Sequence, residues 1–146
     1  MCVTVQTIEN ILNELAPMET AESYDNVGAL VGRRDAEVAN ILVALDCTMD
    51  VVKEAKKRKA NLIVTHHPLL FHARKNMLEE DAEGKILCEL IRSHISLIAA
   101  HTNGPDGIQR QRLLRAFAEP SEPPEGNALF VCGRAGNALD RFGAGK

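Results

Sequence analysis

The chain has 146 residues, the size of one domain at roughly 100 to 200 residues apiece. Hydrophobic residues make up 45% and charged residues 25%, a globular mix that excludes disorder, coiled coil and collagen, and apolar runs such as 41–45 and 95–100 fall far short of the ~20 residues of a spanning helix. Seventeen Lys and Arg stand against 20 Asp and Glu, with no Trp, one Tyr and four Phe, so neither a base-stacking basic surface nor a membrane is expected as partner.

In chain order, Thr4 caps an expected helix whose apolar face is Ile8, Ile11, Leu12 and Leu15, and Pro17 stops it. Residues 27–32 and 39–45 read as short strands joined by the charged turn Arg33-Arg34-Asp35, which predicts a hairpin. Thr48 or Asp50 then opens a helix that turns Val51, Val52 and Ala55 inward. The cations Lys53 to Lys59 form its solvated face, near the negative end of its dipole. Residues 61–65 are too short an apolar run for a helix and read as a buried strand ending in His66-His67-Pro68. A long polar loop runs to about Glu80. A helix with Ile86, Leu87, Leu90 and Ile91 on one face follows, then the strand 95–100, ending in His101-Thr102-Asn103. Continuous apolar strands alternating with helices predict an α/β domain, a mixed central sheet with helices on both faces.

The composition shifts after Asn103: seven of the ten glycines and four of the six prolines lie in the last 43 residues. The expected division is therefore an α/β core over 1–103 and a divergent tail over 104–146. The tail offers one short helix around Leu113, Leu114 and Phe117, and one strand over 127–133. The four cysteines, Cys2, Cys47, Cys88 and Cys132, lack both zinc-knuckle spacing and the density of a disulfide scaffold. They read as reduced thiols, mostly buried, and the beginning of the chain carries no export signal. The cytoplasm is the expected compartment.

Chemistry is expected where two separate strands each end in histidine. Ligands of open α/β sheets gather beyond the carboxyl ends of the strands, and neutral imidazole is a common ligand of divalent transition metals. Side chains of adjacent extended residues diverge, so His66 and His67 are assigned to two cations about 3.5 to 4 Å apart. Asp46 or Asp106 would bridge or orient. A histidine pair at a strand end can also simply cap backbone carbonyls; the second histidine-ended strand favours metal. His72 and His94 are read as loop and helix-end residues without such a role. Tyr24-Asp25-Asn26-Val27-Gly28 is read as a turn entering a strand, and Cys47 as a buried inert thiol.

Taken together and in order, Tyr24-Asp25-Asn26-Val27-Gly28, Leu42-Val43-Ala44-Leu45-Asp46, the run from Asn61 to Phe71 containing His66-His67-Pro68, and Ala100-His101-Thr102-Asn103 resemble the GTP cyclohydrolase I type 2 family, also called Nif-three-like dinuclear metal-binding proteins. The resemblance covers about residues 5–103. It implies the N-terminal part of a Nif-three-like fold, two divalent metal ions (Zn, Mn or Fe) and homo-oligomers of hexameric form. It also implies hydrolysis of a nucleotide-like small molecule. Carried over, His66 and His67 are metal ligands, His101 is ligand or proton shuttle, and Asp106 stands in for an aspartate that the family places one residue earlier, where this chain has Pro105. The family's remaining ligands, a His and a Glu further downstream, have no counterpart, since no histidine follows His101. Gly133-Arg134-Ala135-Gly136 is similar to a strand the family carries after the first half of its domain. A truncated or diverged member is the expectation, acting either as hydrolase or as a non-catalytic metal-binding or assembly scaffold.

Overall fold

The computed structural model describes residues 2–15, 23, 25–100 and 130–136. Helix α1 (Val5–Leu15) is followed by strands β1 (Gly28–Val31) and β2 (Asn40–Ala44), helix α2 (Met49–Lys57), strand β3 (Leu62–Thr65), helix α3 (Ala82–Arg92), and strands β4 (Ser96–Ala99) and β5 (Phe130–Arg134). The sheet order is β1-β4-β3-β2-β5. Strands β2, β3 and β4 are parallel, and β1 and β5 run antiparallel at the two edges. The architecture is the expected mixed α/β sheet with helices on both faces. Among the described residues no helix is long and apolar enough to cross a membrane.

The period of two along each strand separates two cores. Ile41, Val43, Leu62, Val64 and Ile98 face α1, which contributes Val5, Ile8, Ile11 and Leu12. Leu42, Ala44, Ile63 and Leu97 face the other way, against Val51, Val52 and Ala55 of α2 and Leu87 and Leu90 of α3. The three parallel strands are thus covered on both sides, which is why they read as unbroken apolar runs.

Local chemistry sets the helix starts. The Thr4 hydroxyl accepts from Thr7 N at 3.2 Å, Thr48 Oγ1 from Val51 N at 3.2 Å, and Asp81 Oδ1 from Gly84 N at 2.6 Å, each satisfying an orphan donor of a first turn. Around the lysine cluster, Lys56 pairs with Glu89 of α3 and Arg58 with Glu54.

Two expectations are corrected. The hairpin between residues 27–32 and 39–45 does not form: β1 pairs with β4, while β2 lies between β3 and β5. The connecting segment instead bonds to the beginning of the chain, Val5 N to Ala36 O at 3.0 Å and Val38 N to Val3 O at 2.7 Å. The physical reason is burial, since Ile41 to Ala44 are all buried and require neighbours on both edges. The second correction concerns α3, where Leu87 and Leu90 are buried but Ile91 is 51% exposed. Of the tail, β5 overlaps the expected strand over 127–133 at residues 130–133 and extends the sheet beside β2, while 127–129 lie outside the described residues. The helix expected around Leu113, Leu114 and Phe117 lies outside the described residues.

Gly32 is required by geometry. Its φ of +104° is left-handed, and a Cβ there would stand 2.2 Å from Ser96 Oγ. The chain can leave β1 in this direction only without a side chain.

Candidate metal centre

Parallel pairing aligns the carboxyl ends of the central strands. Ala44 is level with Thr65, and Thr65 with Ala99, so the residues after β2, β3 and β4 leave the sheet at one edge. The histidine segment is pinned there by its backbone: His66 N donates to Ala44 O at 3.3 Å and His67 N to Leu45 O at 3.0 Å. Buried Thr65 adds a hydroxyl bond to His67 O at 2.8 Å, and Ala100 N donates to Thr65 O at 2.9 Å.

The two imidazoles lie side by side, ring centroids 5.0 Å apart and planes inclined at 50°. Asp46, just past the end of β2, brings Oδ1 to 2.7 Å from His67 Nδ1. An ionised carboxylate only accepts, so Nδ1–H donates and the lone pair of the neutral ring resides on Nε2. A histidine whose other nitrogen donates to a carboxylate is the usual setting of a metal-ligating imidazole. Of the two roles open to Asp46 from sequence, bridging and orienting, this bond is the orienting one. The donor set therefore suits divalent ions at the level of two imidazoles. Among the described residues, no group of three or more His, Cys, Asp and Glu converges to hold a metal. His101 and Asp106 lie outside the described residues.

Behind the edge, Cys47 is buried, and desolvation pushes its thiol up to about 12, which suits packing rather than nucleophilic chemistry. Two cysteines are less buried than expected: Cys2 is exposed and Cys88 half-buried. His72 and His94 are both exposed.

Sequence reasoning missed how the histidine loop is held. Asp25 Oδ1 accepts from Asn26 N at 3.0 Å, the local turn expected of this motif. The Asn26 side chain, however, reaches 44 residues along the chain and donates from Nδ2 to Leu70 O at 2.6 Å. The Asp-Asn-Val-Gly and His-His-Pro elements thus meet in space. At the far end of the loop, Arg74 bonds Asn76 O and the carboxylates of Asp81 and Glu83. Hydrogen bonding to Arg74 and to Gly84 N keeps the Asp81 carboxyl below the usual carboxylate range. The loop is polar in composition and yet tied at both ends; the pairing of two distant motifs is the signal that could have pointed to it.

A protein of Clostridium perfringens described as a GTP cyclohydrolase 1 type 2 homolog is 46% identical over 96 residues, covering 66% of this chain and 37% of the relative. A hypothetical protein of Staphylococcus aureus, solved by crystallography, superposes with a TM-score of 0.68 at 42% identity, covering 70% of this chain and 34% of that one. Reduced HcgD from Methanocaldococcus jannaschii superposes with a TM-score of 0.67 at 30% identity, over 84% of this chain and 50% of that one. The chain thus spans little more than a third of the length of the curated Clostridium relatives it matches. The family model that matches covers residues 3–106, taking in α1, the parallel strands and the histidine edge, and on that match the chain belongs to the Duf34/NIF3 (NGG1p interacting factor 3) family.

Proposed function

We propose that the protein binds a pair of divalent metal ions, Zn, Mn or Fe, through His66 and His67, and serves hydrolysis of a nucleotide-like small molecule. The observation that carries this reading is the imidazole pair at the sheet edge, centroids 5.0 Å apart, with Asp46 orienting the second ring at 2.7 Å. The names of its curated relatives, GTP cyclohydrolase 1 type 2 homologs, support the substrate class.

When bound, such ions supply Lewis-acid polarisation of the substrate and acidify a water. The chain's own residues provide the rest. Asp46 orients the His67 ring through Nδ1, and the Thr65 hydroxyl fixes the backbone beneath it. Asn26 anchors the loop that leaves the site. His101, the residue after Ala100, is proposed as a ligand or proton shuttle and Asp106 as a third ligand. Assembly of identical chains into a hexamer belongs to the same reading.

A second reading is a metal-binding or assembly scaffold without catalysis. Its motive lies in the sequence after His101, which holds no further histidine to complete a ligand set, since affinity and geometry depend on ligand number. Elemental analysis of the purified protein beside a His66→Ala/His67→Ala variant, followed by turnover assays, separates the two. About two ions per chain, absent from the variant, supports metal binding at the pair, and turnover of a nucleotide in a screen with each metal then distinguishes the hydrolase from a metal-binding scaffold. No metal in either protein leaves only the scaffold.

A further inference from the structure

A concavity opens on the α3 side of the sheet, between α3, β1 and the loop after the histidines, with a volume of about 1010 Å³. Its described walls include none of His66, His67 or Asp46. The volume matches the upper range of small-molecule pockets, roughly 300 to 1,000 Å³. Its floor is aliphatic, made by the buried Val31, Leu87, Leu90 and Ile95. Phe71, Met77 and Ile91 stand at its mouth with 41%, 48% and 51% of their surface exposed. Single exposed apolar side chains are ordinary; three around one hollow form the kind of patch that marks a binding site.

The polar part of the wall holds one cation that no acid of the described residues neutralises, Lys75. Arg33, Arg74 and Lys75 line it with His72 and His94, against one carboxylate, Asp25, whose Oδ1 accepts a backbone N–H. The acids that pair with the two arginines, Asp35 for Arg33 and Asp81 and Glu83 for Arg74, stand outside the lining. Lys75 has no ion-pair partner among the described residues, so an anion placed beside it gains an interaction that nothing in the fold already supplies. With both arginines already paired, Lys75 alone distinguishes an anionic head from a cationic or neutral one.

We propose that this cavity binds a small amphipathic anion, an aliphatic carboxylate whose chain lies on Val31, Leu87 and Leu90 and whose head faces Lys75. The site is independent of metal. The test is a titration of the ¹⁵N-labelled full chain, followed by backbone amide shifts, with decanoate and separately with decyltrimethylammonium, both below their micelle concentrations. Variants Lys75→Glu and Ile91→Glu alter exposed positions and leave the buried floor intact.

The expected result is saturable decanoate binding with shifts confined to β1, α3 and the loop between them. Lys75→Glu weakens it about two- to fivefold, the worth of an exposed ion pair, and Ile91→Glu removes it. Decyltrimethylammonium leaves the wild type unshifted. The His66→Ala/His67→Ala variant binds decanoate as the wild type does, so failure of the metal reading and failure of this one are distinguishable. Equal binding of both amphiphiles, shifts scattered over the whole protein, or indifference to Lys75→Glu overturns the proposal. So does a dimer in sedimentation that Ile91→Glu dissociates, which would make a second copy the occupant.

Discussion

The bond from His67 Nδ1 to Asp46 joins residues 21 positions apart, and under the proposed metal reading its worth is functional rather than structural. Both partners are roughly half exposed, and an exposed pair of this kind contributes little to stability. Asp46→Ala is therefore expected to leave the melting temperature within a degree or two, while metal affinity falls about 10- to 100-fold, the usual cost of removing a carboxylate behind a ligating histidine. Competition with a metal chelator measures the affinity; an unchanged value would remove Asp46 from the site.

Glu9 is the opposite case, a buried carboxylate that ties α1 to β1. It accepts from Arg34 Nε at 2.8 Å and from Ala29 N at 3.0 Å, covering an amide of an edge strand. The Arg34 guanidinium beside it holds its carboxyl below the ordinary value of 4.5. A lowered folded-state pKa means that the unfolded chain takes up the proton first, so the contribution of Glu9 is complete above that ordinary value and is lost as pH falls through the folded one. In urea unfolding, the stability gap between wild type and Glu9→Gln should be constant near neutrality and shrink below about pH 4.5. A gap that widens with acid would contradict this assignment. Cys47 gives a simpler check: buried, with its thiol pushed up to about 12, it should resist iodoacetamide at pH 8 in the native protein while exposed Cys2 is labelled, as peptide mass spectrometry would show.

Among the elements, β1 is the most demanding to build. It is an edge strand with a register shift between Ala29 and Val31, and it ends at Gly32 against Ser96. Gly32→Ala combines a left-handed backbone with a Cβ driven into a side chain of β4, so a loss of about 2 kcal/mol or more is expected in thermal unfolding. A neutral result would mean that β1 can slide on β4. Helices α1 and α2 were legible because their signals are local: Thr4 and Thr48 act within one turn, and the apolar spacing of Ile8, Ile11 and Leu12 lies inside one segment. The hairpin was misread because Arg33-Arg34-Asp35 has turn chemistry, with Arg33 bonded to Asp35, while the partner of the following segment, Val3, lies at the other end of α1. Ile91 fits the apolar spacing of α3, but periodicity defines a face without saying how much of it the sheet covers.

At the scale of the molecule, β3 is hydrogen-bonded to parallel neighbours on both sides and buried throughout, whereas among the described residues β1 and β5 each have a single neighbour. Amide hydrogen exchange should accordingly be slowest in β3 and the adjoining residues of β2 and β4, and faster in the two edge strands. Protection of β1 equal to that of β3 would indicate that its outer edge is covered in solution. Composition, the unbroken apolar runs and the helix caps are properties of contiguous residues, and they determined the fold class, the two-sided sheet and the histidine edge. Tertiary structure decided what depends on closing long loops: that β1 joins β4 rather than β2, that Asp46 orients His67, and that Asn26 holds Leu70. Each brings together groups more than 20 residues apart. Such pairings are selected by which arrangement buries the most apolar surface and satisfies the most backbone polar groups over the whole chain, a comparison that no local stretch of sequence contains.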